Sequence, residues 1–138
     1  MNNQQQVICV VDDSSSMRNA LKRLMESEGL YVEVFSSAEE FLMSSRVEDS
    51  SCLILDHQLP GMSGLELQAH LLVSNPRLPI IFVSGYRDEV SRERALRAGA
   101  IDFLQKPFSD EALFAAIDLC LLLWRAGRSQ PVSSLLRN

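Results

Sequence analysis

The stretch V-I-C-V-V-D-D-S-S-S-M, residues 7–17, joins a continuous apolar run to two adjacent aspartates and then to a helical pattern. A run with no polar face is typical of a strand that is covered on both sides. A second run, C-L-I-L-D at residues 52–56, also ends on an aspartate. Three more strands are predicted at residues 31–35, 79–83 and 101–104, with helical patterns between all five. This alternation indicates crossover connections and a parallel sheet, so we expect a doubly wound three-layer α/β domain.

Length and composition favour one compact domain. The chain has 138 residues, and 46% of them are hydrophobic. We expect a polar tail at residues 1–6, the folded domain at residues 7–126, and a linker or frayed tail at residues 127–138. The net charge of −5 argues against binding of nucleic acid, which requires a basic surface. No apolar stretch is long enough to span a membrane, and three widely spaced cysteines are typical of free thiols in the cytoplasm.

Polar residues follow four of the five predicted strands. Ligands of doubly wound sheets bind beyond the carboxyl ends of the strands, where we place Asp12, Asp13, Asp56, Ser84 and Lys106. Three carboxylates at one edge repel one another, and a hard divalent cation such as Mg²⁺ relieves that repulsion. Each residue alone has a structural alternative: the aspartates as helix or turn caps, the serine as a turn former, and the lysine as a solvated cation.

Together, these residues are suited to phosphoryl transfer. A carboxylate can act as the nucleophile, while a metal ion and an ammonium group balance the charge on the phosphoryl oxygens. A hydroxyl group adds a hydrogen-bond donor to the same oxygens. The joint placement at neighbouring strand ends favours this interpretation over the separate structural ones.

Four motifs, in order, resemble the receiver domains of bacterial two-component response regulators. They are V-V-D-D-S-S-S-M-R (residues 10–18), L-D-H-Q-L-P-G-M-S-G-L-E-L (55–67), V-S-G (83–85) and G-A-I-D-F-L-Q-K-P-F (99–108). The last motif is most similar to the nitrogen-fixation regulator branch. The resemblance covers residues 7 to 124 and implies a flavodoxin-like sheet with strand order 2-1-3-4-5.

The resemblance also implies a role for each matching residue. Asp56 would be the phosphoacceptor, and Mg²⁺ (or Mn²⁺) would bind Asp12, Asp13, Asp56 and the backbone carbonyl of Gln58. Ser84 and Lys106 would contact the phosphoryl group, and Ser84 and Phe103 would act in switching. Gln58 and Tyr86 would tune the rate of dephosphorylation. The Lys106–Pro107 peptide would be cis.

A receiver domain takes its phosphoryl group from a histidine kinase, so the resemblance implies that kinase as the partner and no enzymatic activity beyond self-phosphorylation and self-dephosphorylation. The response would alter the face formed by the fourth helix, fifth strand and fifth helix. The fifth helix is apolar on nearly all sides between residues 112 and 124, which predicts a phosphorylation-favoured homodimer through that face. A fold-back of the C-terminal tail over this helix is the alternative.

The sequence is compatible with several functions. The chain is either part of a transcriptional regulator or a receiver of a phosphorelay, as a single domain or within a hybrid kinase. A nucleotide- or flavin-binding domain would need a glycine-rich first turn, where this chain has Asp12 and Asp13. A small aspartyl phosphatase would need a second carboxylate two residues after Asp56, where Gln58 stands. His57 is expected to face solvent.

Overall fold

The computed structural model describes residues 6–128 and contains a five-stranded parallel sheet with helices on both faces. The elements alternate strictly along the chain: β1 (Val7–Val11), α1 (Ser15–Ser27), β2 (Tyr31–Phe35), α2 (Ala38–Leu42), β3 (Cys52–Asp56), α3 (Gly64–Ser74), β4 (Ile80–Ser84), α4 (Glu89–Arg97), β5 (Asp102–Gln105) and α5 (Asp110–Arg128). The strand order is β2-β1-β3-β4-β5, which confirms the fold expected from the sequence. Among the described residues, no helix is long and apolar enough to cross a membrane.

The three central strands, β1, β3 and β4, are fully buried because helices pack against the apolar side chains on both faces of the sheet. One hydrophobic cluster lies between the sheet and helices α2, α3 and α4, and includes Phe41, Leu67 and Phe82. The other lies between the sheet and helices α1 and α5, and includes Leu21 and Ile117. This burial explains why β1 and β3 are continuous apolar runs rather than alternating ones.

Local sequence signals fix the helix ends. Gly29 has a φ of +82° after α1, and its N–H bonds the carbonyl of Glu26 while the N–H of Leu30 bonds that of Met25. This Schellman arrangement needs a residue that tolerates the left-handed region, which is why glycine follows the last apolar turn. At α3, Ser63 and Glu66 form the complete capping box that their spacing predicts.

Helix α5 is longer than the sequence pattern predicts. It continues to Arg128, beyond Trp124 where the apolar pattern ends. Ala126 favours helix, and Arg125 lies in the C-terminal part of the helix, where cations are stabilised by the helix dipole. Gly127, the first residue of the expected tail, is part of this helix. Residues 129–138 of the expected C-terminal tail and residues 1–5 of the N-terminal tail lie outside the described residues.

Candidate functional site

The carboxyl ends of β1, β3, β4 and β5 meet at one edge of the sheet, and the residues expected there lie together. Asp12 follows β1 and is buried, Asp56 ends β3 and is 6% exposed, and Ser84 ends β4 and is fully buried. Lys106 follows β5, and its N–H donates to the carbonyl of Ser84 over 2.7 Å. Asp13 is exposed at the rim. Parallel pairing alone accounts for this convergence of residues that are far apart in sequence.

The carboxylates form a compact acidic cluster. One oxygen each of Asp12, Asp13 and Asp56 can be chosen so that all three lie within 4.8 Å of one another. The ammonium group of Lys106 lies 3.2 Å from Asp12 Oδ2 and 3.8 Å from Asp56 Oδ2. A single ammonium group does not neutralise three carboxylates, so this cluster attracts a further cation.

Neither aspartate of the adjacent pair caps α1. The N-cap is Ser14, whose hydroxyl accepts the N–H of Met17, while Asp12 Oδ1 accepts the N–H of Ser14. The exposed Asp13 lies before the cap. The helix-cap explanation of these two residues is therefore wrong, and their carboxylates are directed to the acidic cluster instead.

The pKa of Asp56 is raised from 3.8 to about 6. Burial is the largest cause, and the negative charges of Asp12 and Asp13 add to it. The N–H of Gln58, which donates to Asp56 Oδ1 over 3.0 Å, and the charge of Lys106 oppose the rise in pKa. A bound cation favours the ionised form of such a carboxyl group and so offsets the cost of ionising it.

The donor set fits a hard divalent cation. All three side chains offer carboxylate oxygens, which Mg²⁺, Ca²⁺ and Mn²⁺ prefer over nitrogen or sulfur ligands. Two of the three carboxylates are buried and the third is exposed, so a cation here would keep a side open to water and to a ligand. The exposed residue Gln58 follows this cluster on the β3–α3 loop.

The Ser84 hydroxyl is engaged by the loop that follows it. The N–H of Tyr86 donates to Ser84 Oγ over 3.1 Å, and the hydroxyl donates to the carbonyl of Tyr86 over 2.9 Å. The side chain of Tyr86 is exposed. The Lys106–Pro107 peptide is cis, as the resemblance implied.

Phe103 is buried, at 7% exposure, inside the cluster of α2, α3 and α4. Its ring stacks on Phe82 with 5.7 Å between ring centroids and contacts the ring of His57 at 5.6 Å. Phe103, the residue expected to act as a switch, therefore packs against Phe82 of β4 and against His57.

The expectation that His57 faces solvent is wrong, because the ring is only 7% exposed. The backbone N–H of His57 donates to the carbonyl of Val83, so strand pairing extends one residue beyond Asp56. Alternation along the strand then places His57 on the same face as Leu55, in the core. Burial lowers the pKa of His57, and the charge of Asp88 opposes this only in part, so the imidazole is neutral near pH 7. Sequence reasoning missed this residue because it assigned it to the loop.

Gly64 allows α3 to begin directly against the backbone of Asp56 and His57. A Cβ at this position would lie 2.5 Å from the carbonyl oxygen of Asp56 and 3.1 Å from the Cα of His57. The N–H of Gly64 also donates to the carbonyl of His57 over 3.3 Å. The last glycine of the motif at residues 55–67 is therefore required by close packing of backbone on backbone.

Helix α5 carries an apolar outer face. Leu113, Ile117 and Cys120 are buried against the sheet, as the sequence predicts. Three leucines on the other side are about half exposed: Leu119, Leu122 and Leu123. Helix α4 packs on the opposite face of the sheet from α5, and most of its residues are charged.

Comparisons with known proteins show which proteins this chain is similar to. The family model described as the response regulator receiver domain matches residues 8–118. Nodulation protein W of Bradyrhizobium diazoefficiens is 46% identical over 111 residues, which are 80% of this chain and 49% of that protein. The transcriptional regulatory protein FixJ of Azorhizobium caulinodans is 39% identical over 108 residues, 78% of this chain and 51% of that protein. The solved response regulator StyR superposes with a TM-score of 0.84 at 42% identity, covering 91% of this chain and 63% of that one. The chain thus spans about half the length of these two curated relatives.

Proposed function

This chain belongs to the family of response regulator receiver domains, and from that premise we propose that Asp56 is its phosphoacceptor and that Asp12, Asp13 and Asp56 hold the Mg²⁺ (or Mn²⁺) ion that the reaction needs. The observation that carries the proposal is the compact acidic cluster with the ammonium group of Lys106 beside it. The backbone carbonyl of Gln58 would supply a fourth protein ligand.

The proposed reaction is an in-line displacement at phosphorus. A carboxylate oxygen of Asp56 forms the new O–P bond, and the bond to the phosphodonor breaks, which leaves a mixed anhydride on Asp56. The bond between Gln58 N–H and Asp56 Oδ1 would hold the carboxylate, so that Oδ2 is the oxygen available for attack. The bound metal ion would supply charge compensation for the phosphoryl oxygens.

Lys106 and Ser84 would bind the transferred group. The ammonium group already lies 3.8 Å from Asp56 Oδ2, within reach of a phosphoryl oxygen attached there. The Ser84 hydroxyl has a single proton, which it now donates to Tyr86. To donate to a phosphoryl oxygen, it must leave that carbonyl, and this rearrangement would begin the switch that involves Phe103.

The lifetime of the phosphoryl group would depend on the two exposed residues beside it. Gln58 and Tyr86 are both exposed, and they stand two residues after Asp56 and Ser84. Their side chains would control the approach of water to the phosphorus atom. We propose these positions, rather than Lys106 or Ser84, as the determinants of the rate of dephosphorylation.

The phosphodonor in the cell would be the phosphohistidine of a histidine kinase, in the cytoplasm. Two of the matched relatives are named as a response regulator and a transcriptional regulatory protein, and we propose a role in regulating transcription for the protein that contains this domain. A single-domain or hybrid-kinase receiver is the alternative, and the whole length of the natural protein decides between them.

The test of phosphoryl transfer uses acetyl phosphate, a small donor that replaces the kinase. With Mg²⁺ the protein should gain one phosphoryl group by intact mass spectrometry and lose it in hydroxylamine, as an acyl phosphate does. Asp56→Asn should abolish uptake, whereas Asp118→Asn, at an exposed site on α5, should not. Equal uptake by Asp56→Asn and the wild type would refute the assignment, and repeated turnover with release of phosphate from many donors would favour a phosphatase.

The output surface would be the face of α4, β5 and α5, which pairs in a symmetric dimer after phosphorylation. The half-exposed Leu119, Leu122 and Leu123 would form its apolar centre, and the charged residues of α4 would set its register at the rim. Sedimentation of the wild type should show a shift towards dimer with a phosphoryl mimic, and Leu122→Glu should abolish that shift. A strict monomer under both conditions at high micromolar concentration would exclude this dimer.

A further inference from the structure

The buried ring of His57 lies where three parts of the proposed switch meet. Its Nδ1 atom is 3.5 Å from the Ser84 hydroxyl at the end of β4. Its Nε2 atom is 4.0 Å from Asp88 Oδ2 at the start of α4. Its ring contacts Phe103 on β5 at 5.6 Å between centroids. One side chain therefore lies against β4, β5 and the start of α4.

The backbone of His57 is fixed, so the ring cannot easily follow its neighbours. The N–H of His57 bonds the carbonyl of Val83, and the carbonyl of His57 accepts the N–H of Gly64. The residue is therefore held from β4 on one side and from the start of α3 on the other. A ring mounted on such a rigid support transmits a displacement of one neighbour to the next rather than absorbing it.

The contact with Asp88 links the ring to the beginning of α4. Asp88 is the N-cap of that helix: its carboxylate accepts the N–H of Ser91 over 3.1 Å and the Ser91 hydroxyl over 2.8 Å. A change in the position of this carboxylate changes the satisfaction of the first N–H groups of α4. His57 thus lies against the group that determines how α4 starts.

The contact with Ser84 links the same ring to the phosphoryl site. When the Ser84 hydroxyl leaves Tyr86 to donate to a phosphoryl oxygen, the atom beside His57 Nδ1 moves away. The ring then loses a polar neighbour on one side while Phe103 still packs against its face. The contacts with Asp88 and Phe103 remain, and through them the ring can act on the start of α4 and on β5.

We infer that His57 is a positioning residue that couples the Ser84 hydroxyl to Phe103 and to the N-terminus of α4. This inference rests on the proposed function, since it concerns the response to a phosphoryl group on Asp56. It assigns to the residue after the phosphoacceptor a role in transmission, not in the chemistry at phosphorus.

The test compares the response of labelled protein to beryllium fluoride with Mg²⁺, a stable mimic of the aspartyl phosphoryl group, by amide chemical shifts. His57→Leu keeps an apolar side chain of similar volume but removes both polar contacts. His57→Gln restores a polar group within reach of Asp88. His70→Leu is the matched control, because His70 is the only other histidine and is exposed on α3. Uptake from acetyl phosphate is measured on every variant.

All variants should still take up a phosphoryl group on Asp56. In His57→Leu, the equilibrium between the switched and unswitched forms should move back by roughly fivefold, which is the low end of usual coupling between sites, and the shift changes at Ser91 and Phe103 should shrink accordingly. His57→Gln should recover most of the change at Ser91, and His70→Leu should respond like the wild type.

Wild-type-sized changes at Ser91 and Phe103 in His57→Leu would overturn the coupling role, since packing alone would then suffice. Should His57→Leu not fold, the glutamine variant decides: an undiminished change at Phe103, whose ring contact an amide cannot replace, would overturn the inference. Failure of the wild type itself to take up a phosphoryl group would refute the proposed function instead, and the uptake measurement separates the two failures.

Discussion

Replacing Asp56 by asparagine should make the metal-free protein more stable at neutral pH. The ionised Asp56 carboxylate is buried beside Asp12 and Asp13, and its pKa is raised from 3.8 to about 6. The fold therefore binds the proton of this group more tightly than the unfolded chain does. Stability contributed by this preference is complete below pH 4 and is lost as the pH rises through about 6. Asparagine is neutral and resembles the protonated carboxyl at every pH.

The magnitude follows from the size of the rise in pKa. Each tenfold change in proton affinity is worth about 1.4 kcal/mol, so the ionised carboxylate costs at most roughly 3 kcal/mol at neutral pH. The attraction of Lys106, whose ammonium group is 3.8 Å from Asp56 Oδ2, is already part of this net rise, and water at the open side of the site screens the charges. We therefore expect the free energy of unfolding to increase by about 1–2 kcal/mol in Asp56→Asn at pH 7 without metal.

Urea unfolding followed by circular dichroism measures this difference between pH 4.5 and pH 7.5. The gain in Asp56→Asn should shrink as the pH falls, because the wild-type carboxyl then becomes protonated. Adding Mg²⁺ should stabilise the wild type and reduce the gain further, since the ion binds the native carboxylate cluster. Asp118→Asn, at an exposed site, should change neither stability nor its pH dependence.

The reasoning fails if Asp56→Asn is less stable than the wild type at pH 7 without metal. It also fails if the difference between the two proteins does not depend on pH. Either result would mean that repulsion among the three carboxylates does not lower the stability of the fold. A bound cation would then have no such repulsion to relieve.

Two further substitutions test the site and its support. Asp13→Asn should weaken Mg²⁺ binding by roughly tenfold or more, read from chemical-shift titration, because it removes one of three carboxylate ligands; affinity equal to that of the wild type would exclude Asp13 from the metal site. Gly64→Ala should destabilise the protein by about 2 kcal/mol or more in urea unfolding, because its Cβ would lie 2.5 Å from the carbonyl oxygen of Asp56; a neutral effect would show that α3 can move away from the acidic cluster at no cost.

The sequence predicts the acidic cluster because its members occupy strand ends. Asp12, Asp56 and Ser84 each stand at the end of an apolar run, and parallel pairing brings such ends to one edge whatever their separation in sequence. Helix patterns work equally well for α5, where a period of 3.6 separates Ile117, which is buried, from Leu122, which is exposed. Both predictions depend only on periodicity and on chain direction.

The environment of His57 is not accessible by the same reasoning. Whether a residue just after a strand is buried depends on whether pairing extends one residue further, and here the bond from His57 to Val83 extends it. The apolar pattern predicts that the strand ends at Asp56, because the polar residues histidine and glutamine follow it. The contacts with Ser84, Asp88 and Phe103 arise only from tertiary packing of three separate elements.

The central claim is that Asp56, and no other residue, receives the phosphoryl group. Reduction with borohydride converts an aspartyl phosphate to homoserine, which stays in place during digestion and peptide mass spectrometry. After treatment with acetyl phosphate and Mg²⁺, homoserine should be found at position 56 alone, and omission of Mg²⁺ should prevent its formation. Homoserine at Asp12 or Asp13, or a borohydride-resistant phosphate on Ser84, would contradict the account.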